Sequence, residues 1–280
     1  MTSFSKIQQR ALQLVLGAAL LMPGLAHAAD ETLPASILSK KTITYCSSLT
    51  QPPMEFVDAQ QKTKGADIEM GDELAKRLGL QTKWINIPFA GLIPALQAGQ
   101  CDAVISQLFI KPTRLEVIDQ VPYMYSQEII LFKKGSPTVD NLEALSGKKV
   151  ATVTGTTATI LLRAADDKLK QEGKKEINIV EFPTGTAALQ QLQFGQVEAY
   201  GVAYEIGLYY DQTEPNAFQI GGQPYFKILT GIGVRKDEPG LSLALETKLA
   251  EMMKDGSYAA IFKKWNLTTD MLAEPMKTQK

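Results

Sequence analysis

The 280-residue sequence predicts an α/β fold of two lobes, each a mostly parallel sheet flanked by helices. The main evidence is a repeated unit: residues 96–103 read LQAGQCDA, and residues 192–199 read LQFGQVEA. In both copies an amphipathic run ends at a Gly and an acidic residue then precedes apolar residues, which is typical of a helix, a turn and a strand. Two similar units predict a groove between lobes, and small ligands bind in such grooves.

Strands and helices alternate in the first unit. Its predicted strands are 41–47, 81–87 and 103–106, and its predicted helices are one that Gly79 ends and one at about 92–98. Gln-Pro-Pro at residues 51–53 predicts a loop after the first strand. Because strands and helices alternate, we expect the strands to run mostly parallel.

The second unit repeats this order. Its predicted strands are 150–153, 177–181 and 199–203, and its predicted helices lie around 161–169 and 186–194. An apolar run at 228–234 and two helices, at about 240–254 and 257–265, follow. They are too short for a third domain, so we expect them to complete the first lobe.

This return predicts the domain organisation. Residues 29–127 and 225–280 form the predicted first lobe, and residues 128–224 form the second. The chain then crosses between lobes near residues 126–128 and near residues 224–227. Paired crossings of this kind form a hinge.

The amino terminus has the features of a secretory signal. Lys6 and Arg10 precede an apolar run at 11–22, a Pro-Gly pair, and Ala-His-Ala at 26–28, which is the small-x-small pattern of a cleavage site. We predict a signal peptide at residues 1–28 and a soluble periplasmic protein. No later segment reaches the roughly 20 apolar residues of a membrane-spanning helix.

Composition excludes several classes of protein. Removing 28 of the 280 residues leaves 252, with 27 basic and 30 acidic residues, and this balance gives no reason to expect nucleic-acid binding. His27 is the single histidine and leaves with the signal, so a Ser-His-Asp triad and a His-ligated metal are excluded. We predict no metal, no cofactor and a monomer.

Cys46 and Cys101 are the two cysteines, and an oxidising compartment permits a disulfide between them. Cys46 lies at the far end of the first predicted strand, whereas Cys101 lies just before another strand. In neighbouring parallel strands those positions are expected to be more than about 7 Å apart, which is too far for a bridge. We therefore expect two buried free thiols, with a disulfide as the alternative.

Arg114 is the foremost candidate for ligand binding. It follows the strand that ends at Ser106, and ligands bind beyond the carboxyl ends of open parallel sheets. A guanidinium there can hold a carboxylate through two parallel charge-assisted hydrogen bonds. The alternative is a surface arginine paired with Glu116 or Asp119, and spacing alone favours neither.

Three further segments are candidates. Thr156 and Thr157 open a helix after a strand, where backbone N–H groups suit an anion, although a threonine there is often a simple N-cap. Phe89 is a candidate for an apolar wall of the site or for the core. Gln51 belongs either to the cleft or to a solvated turn.

These residues occur in a pattern that resembles the family 3 periplasmic solute-binding proteins of ABC importers. The motifs are GADIEMGDELAKRLGL from Gly65, FAGLIPALQAGQCDAVIS from Phe89, then PTR and VPY, with GTT, GQVEA and SYAAIFKKW later in the chain. The resemblance covers nearly the whole mature sequence. It implies a type II periplasmic binding protein-like fold and a ligand that is usually a polar amino acid.

The resemblance also implies roles for individual residues. Arg114 falls on the arginine that binds the ligand α-carboxylate, and Thr157 falls on a donor to that group from the second lobe. Phe89 corresponds to an aromatic wall. Gln107 and Phe109 correspond to positions that contribute main-chain groups and often a hydroxyl.

Three positions depart from the family pattern. The family usually has an aromatic residue at Gln51, a Ser or Thr at Phe109, and at Ala203 an Asp that binds the ligand ammonium. Without that Asp a buried ammonium lacks its counter-charge, which costs several kcal/mol. Glu205, at an expected helix start, is either a substitute for this Asp or a solvated N-terminal acid.

The sequence therefore predicts a hinged protein that binds a small carboxylate-bearing solute, foremost an amino acid or a derivative, and delivers it to a membrane ABC permease. A carboxylate without an α-ammonium is the alternative ligand. A cyclohexadienyl dehydratase-like enzyme that uses Glu205, and a periplasmic sensor, are alternative functions.

Overall fold

The computed structural model describes residues 33–280, and the predicted signal peptide lies outside them. The strands are β1 Thr42–Ser47, β2 Thr50–Gln51, β3 Glu55–Val57, β4 Thr63–Lys64, β5 Gln81–Asn86, β6 Ala103–Val104, β7 Asp119–Lys133, β8 Lys149–Val153, β9 Asn178–Phe182, β10 Ala199–Ala203 and β11 Phe218–Val234. The helices are α1 Ala35–Lys40, α2 Ala66–Arg77, α3 Leu92–Gln97, α4 Pro112–Leu115, α5 Thr157–Gln171, α6 Gly185–Gln193, α7 Tyr204–Thr213, α8 Pro239–Asp255 and α9 Ser257–Lys264. None of these helices is long and apolar enough to cross a membrane.

Eight strands form one sheet in the order β5-β1-β6-β11-β7-β10-β8-β9. The first three strands are parallel to one another, and so are the last three. The two central strands, β11 and β7, run antiparallel to each other and to their neighbours. We call β5, β1 and β6 with α1–α3, α8 and α9 the first lobe, and β8–β10 with α5–α7 the second. The two-lobed α/β fold is therefore confirmed.

The lobes are joined by β7 and β11, which have 15 and 17 residues. They are paired along both lobes, and their register shifts on either side of Tyr225, which lies opposite Glu128. These shifts interrupt the ladder at the two predicted crossings. The domain boundaries after residues 127 and 224 fall in the same stretch and stay a prediction.

The repeated unit folds as expected in both lobes. In the first copy α3 is followed by Gly99 with φ of 70°, and in the second α6 is followed by Gly195 with φ of 69°. Such left-handed values favour glycine, which is why each helix ends there. Each turn then leads into a buried strand, β6 or β10.

The expectation of two free thiols is wrong, because Cys46 and Cys101 form a disulfide with a Cα–Cα distance of 5.7 Å. Strand β6 is short, and its two residues pair with Tyr45 and Cys46 near the carboxyl end of β1. The start of β6 is therefore level with the end of β1. This stagger, which the sequence does not reveal, brings Cys101 beside Cys46. The predicted burial of both is correct.

The segment after β1 holds more structure than a loop. Strands β2, β3 and β4 form a small antiparallel sheet, with Gln51 paired to Glu55. The predicted Gln-Pro-Pro loop is the turn between β2 and β3. This small sheet holds Gln51 buried at 6% exposure beside the second lobe.

Candidate ligand-binding site

A cavity lies between the lobes. Eight of the nine residues proposed from the sequence line it, and they come from segments far apart in the chain. They are Gln51, Phe89, Gln107, Phe109, Arg114, Thr156, Thr157 and Ala203. The ninth, Glu205, lies outside the lining.

Arg114 is buried in this cavity at 7% exposure, which contradicts the alternative of a surface ion pair. Its Nη1 donates to the Phe109 carbonyl at 2.8 Å, and its Nη2 donates to the Gly155 carbonyl of the second lobe at 3.3 Å. The guanidinium carbon lies 5.4 Å from the centre of the Phe89 ring, within the range of a cation–π contact. Burial lowers the pKa of Arg114 to about 10, so the group remains charged at neutral pH.

Across the cavity from Arg114, the 15-residue helix α5 presents its amino terminus. Thr156 is the N-cap: its Oγ1 accepts a hydrogen bond from the Thr159 N–H and donates one to the Val153 carbonyl. The Thr157 hydroxyl is buried and has no hydrogen-bond partner among residues 33–280. Thr156 therefore shapes the helix end, whereas Thr157 keeps a free hydroxyl beside the cavity.

Gln107 and Glu205 bind each other instead of both facing the cavity. Gln107 Nε2 donates to Glu205 Oε2 at 2.6 Å, and the Ser126 hydroxyl donates to the same oxygen at 2.7 Å. The Gln107 N–H donates to Asp67 in the first lobe at 2.7 Å, with Gln107 at a φ of 44°. Glu205 is thus a buried inter-lobe acceptor behind Gln107. Burial, reinforced by Asp270, raises its pKa to about 8.

Glu128, a β7 residue that lines the cavity and is 2% exposed, is not among the site residues predicted from the sequence. Its Oε2 has no hydrogen-bond partner in the part of the chain that the structure describes. Burial raises the pKa of Glu128 to about 8, Glu205 adds to the rise, and Lys111 and Arg114 oppose it. The one feature of the sequence that could have identified Glu128 as a site residue is its position in a predicted hinge crossing, where an acidic residue is close to the groove between the lobes.

The two lobes touch on both sides of this cavity. Besides the contacts of Arg114 and Gln107, the Gly185 N–H at the start of α6 donates to the Thr50 hydroxyl at 3.2 Å. A Cβ built on Gly155 would lie 3.2 Å from the Ala90 Cα. The lobes are therefore closed around the cavity, with glycines where the backbones approach most closely.

Comparison with known proteins identifies the family. The model of the bacterial extracellular solute-binding proteins, family 3, matches residues 43–268, which include both lobes. The chain belongs to this family. The family resemblance predicted from the motifs is therefore confirmed.

Relatives within and around the family cover most of the chain. The lysine/arginine/ornithine-binding periplasmic protein of Escherichia coli K12 is 29% identical over 234 residues, covering 80% of this chain and 87% of the relative. An ancestral arginine-binding protein solved with arginine is 33% identical, with a TM-score of 0.75 over 80% of this chain and 98% of that structure. AncCDT-1, an ancestral amino acid-binding protein described as a precursor of cyclohexadienyl dehydratase, is 28% identical with a TM-score of 0.73, over 82% and 97%.

The three departures from the family pattern all line the same cavity. Gln51 enters from β2, Phe109 from the segment before α4, and Ala203 from the end of β10. Phe109 also supplies the carbonyl that accepts from Arg114. Arg114 and Thr157, which the resemblance matches to the family pattern, line the same cavity.

Proposed function

We propose that this protein is a periplasmic solute-binding protein that closes over a small carboxylate-bearing solute, an amino acid or a derivative, and delivers it to an ABC permease. The observation that carries this proposal is the buried Arg114 guanidinium opposite the free Thr157 hydroxyl and the α5 amino terminus. A carboxylate between them gains a bidentate ion pair from one lobe and helix-end donors from the other. It therefore favours the closed form.

The wider assignment draws support from relatives. The lysine/arginine/ornithine-binding relative is named as a periplasmic protein, and the family is one of extracellular solute-binding proteins. We extend this to a cleaved signal at residues 1–28, a monomeric mature protein and a membrane permease as the partner. Lobe closure is the change that such a permease would recognise.

Isothermal titration with a panel of amino acids and simple carboxylates tests the proposal. Arg114→Ala should weaken binding of every carboxylate by about 3 kcal/mol or more, or at least 100-fold, because a desolvated charge pair is lost. Arg114→Lys keeps the charge but loses the planar fork, so it should rescue binding in part.

Lys76→Ala removes an exposed charge distant from the cavity and serves as the control. It should bind as the unaltered protein does. Equal affinity of the Arg114→Ala variant and the unaltered protein for all carboxylates would refute the carboxylate anchor.

A dehydratase-like enzyme is the second candidate, because burial raises the pKa of both Glu128 and Glu205 to about 8 at the cleft. Carboxyls that stay protonated near neutral pH are suited to general acid catalysis. The test is incubation of the protein at high concentration with prephenate and with arogenate. Absence of phenylpyruvate and phenylalanine would remove this candidate and leave a binding protein.

A further inference from the structure

We propose that Glu128 binds the ligand's ammonium group, so that the preferred solute is a zwitterionic amino acid with an uncharged side chain. This inference rests on the proposed function, since it takes Arg114 as the carboxylate anchor. It assigns the opposite end of the ligand to a residue on a central crossing strand.

The Glu128 carboxyl group is buried beside the cavity, and one of its oxygens lacks a hydrogen-bond partner in the described part of the chain. Glu128 is almost fully buried, lines the cavity, and has an Oε2 atom without a hydrogen-bond partner among residues 33–280. A buried carboxylate oxygen without a partner is costly, and a ligand that donates a hydrogen bond to it would remove that cost. An ammonium group would donate to this oxygen and, by its positive charge, lower the raised pKa of the carboxyl, so that Glu128 binds it in the ionised form.

Arg114 and Glu128 both line the cavity, but they are not paired with each other. Arg114 donates to the carbonyls of Phe109 and Gly155, and among the described residues it forms no ion pair within 4.0 Å with Glu128. A guanidinium and a carboxyl group thus line the same cavity without a direct ion pair between them. A ligand carrying one negative and one positive group complements this arrangement.

The composition of the cavity lining limits the side chain that a ligand can carry. Of the residues lining the cavity in the described chain, Arg114 and Glu128 are the charged ones. The remaining wall is largely apolar or aromatic, with Phe89, Phe109 and Tyr200 among its members. A further charge on the ligand would be desolvated without a counter-charge in this lining, which disfavours basic and acidic amino acids.

The register between β10 and β7 determines which side chains lie beside Glu128. Ala203 on β10 lies directly opposite Glu128 on β7 in the antiparallel ladder. Side chains at directly opposed positions project to the same face of a sheet, with Cβ atoms roughly 5 Å apart. The Glu128 carboxylate therefore reaches the region that an acidic side chain at residue 203 would occupy, and the small Ala203 leaves room for it.

The experiment compares amino acids with their 2-hydroxy acids, which keep the carboxylate and lack the ammonium. The probes are alanine and lactate, leucine and 2-hydroxyisocaproate, phenylalanine and phenyllactate, with glutamine and arginine added. Titration calorimetry at pH 7 is performed on the unaltered protein, on Glu128→Gln and on the exposed control Glu116→Gln. The amide substitution keeps the size of the side chain, and urea unfolding checks that each variant is folded.

We expect the unaltered protein and Glu116→Gln to bind a neutral amino acid about 30-fold or more tightly than its hydroxy acid, since a desolvated charge pair depends on Glu128. In Glu128→Gln this preference should fall below about threefold. The double variant Glu128→Gln/Ala203→Asp moves the carboxylate to the opposed strand position and should regain the preference.

Three results would overturn the inference. Equal binding of amino acid and hydroxy acid by the unaltered protein is one, an unchanged preference in Glu128→Gln is the second, and tighter binding of arginine than of every neutral probe is the third. In each case loss of binding in Arg114→Ala leaves the proposed function intact. Binding of none of these probes, together with no response to simple carboxylates, would overturn both.

Discussion

Replacing Glu128 by Gln is expected to stabilise the ligand-free protein at alkaline pH. Burial raises the pKa of this carboxyl from 4.5 to about 8. The folded protein therefore holds the proton more tightly than the unfolded chain does, and the free energy of unfolding falls as the pH rises from about 4.5 to about 8. The Glu128→Gln variant carries an amide that does not ionise and escapes this loss.

The magnitude follows from the two pKa values. One pKa unit corresponds to about 1.4 kcal/mol, so the full window amounts to about 5 kcal/mol and the interval from pH 5 to pH 9 to about 4 kcal/mol. The titratable groups that face Glu128 are Glu205 from α7, Lys111 and Arg114 from the segment around α4, Tyr200 from β10 and Tyr225 from β11. All of them are present in both proteins, so their own titrations largely cancel in the difference.

Urea unfolding at pH 5, 7 and 9 measures this difference. The free energy of unfolding of the variant, relative to that of the unaltered protein, should rise at each step to higher pH. For the exposed control Glu116→Gln the difference in unfolding free energy from the unaltered protein should not change with pH. If the gap for Glu128→Gln stays constant from pH 5 to pH 9, the carboxyl is already ionised at pH 5. This outcome would show that burial and the unpartnered Oε2 do not raise the pKa of Glu128.

Two further predictions concern the disulfide and lobe closure. The bridge closes a segment with a sequence separation of 55, so the Cys46→Ser/Cys101→Ser variant should lose about 4 kcal/mol of unfolding free energy in urea, with unchanged ligand affinity. A loss below about 1 kcal/mol would contradict this estimate. Gly155→Ala, at φ of 82° and facing Ala90, should weaken ligand binding measured by calorimetry. Its control Gly173→Ala shares the left-handed backbone, at φ of 68°, in open space, and should lose stability without losing affinity; equal affinities of the two variants would argue against a clash on closure.

Local patterns in the sequence were sufficient for most of the fold. Each predicted strand and helix is present, and the strand 199–203 has the predicted bounds. Gly99 and Gly195 made the ends of two helices predictable, because each adopts a left-handed backbone conformation that ends a helix and that few other residues adopt readily. The 3.6-residue and two-residue periodicities then define the elements on either side.

The register of the strands could not be predicted from the sequence, because the stagger between strands depends on packing between distant segments. The disulfide shows this: the two cysteines could be placed at the ends of strands, but β6 begins level with the end of β1. For a similar reason the sequence predicts no strand at β7 and only the apolar run at 228–234 within β11. Each strand serves both lobes, and a periodicity within one segment gives no indication of pairing with two neighbours in succession.

Glu128 illustrates how a candidate binding residue can escape a reading of the sequence while its position follows from physical rules. In a strand that alternates, a single Glu is typical of a solvent-exposed face, so its burial cannot be anticipated. In the structure β7 pairs with β10 along one edge and with β11 along the other, and both of its faces are largely buried. A buried carboxyl group with one unpartnered oxygen opposes folding when it ionises. The same group is expected to stabilise a bound ammonium, so the loss of stability in the empty protein and the affinity for the ligand have one physical origin. Glu128→Gln should therefore raise the stability of the empty protein and lower its affinity for the ligand.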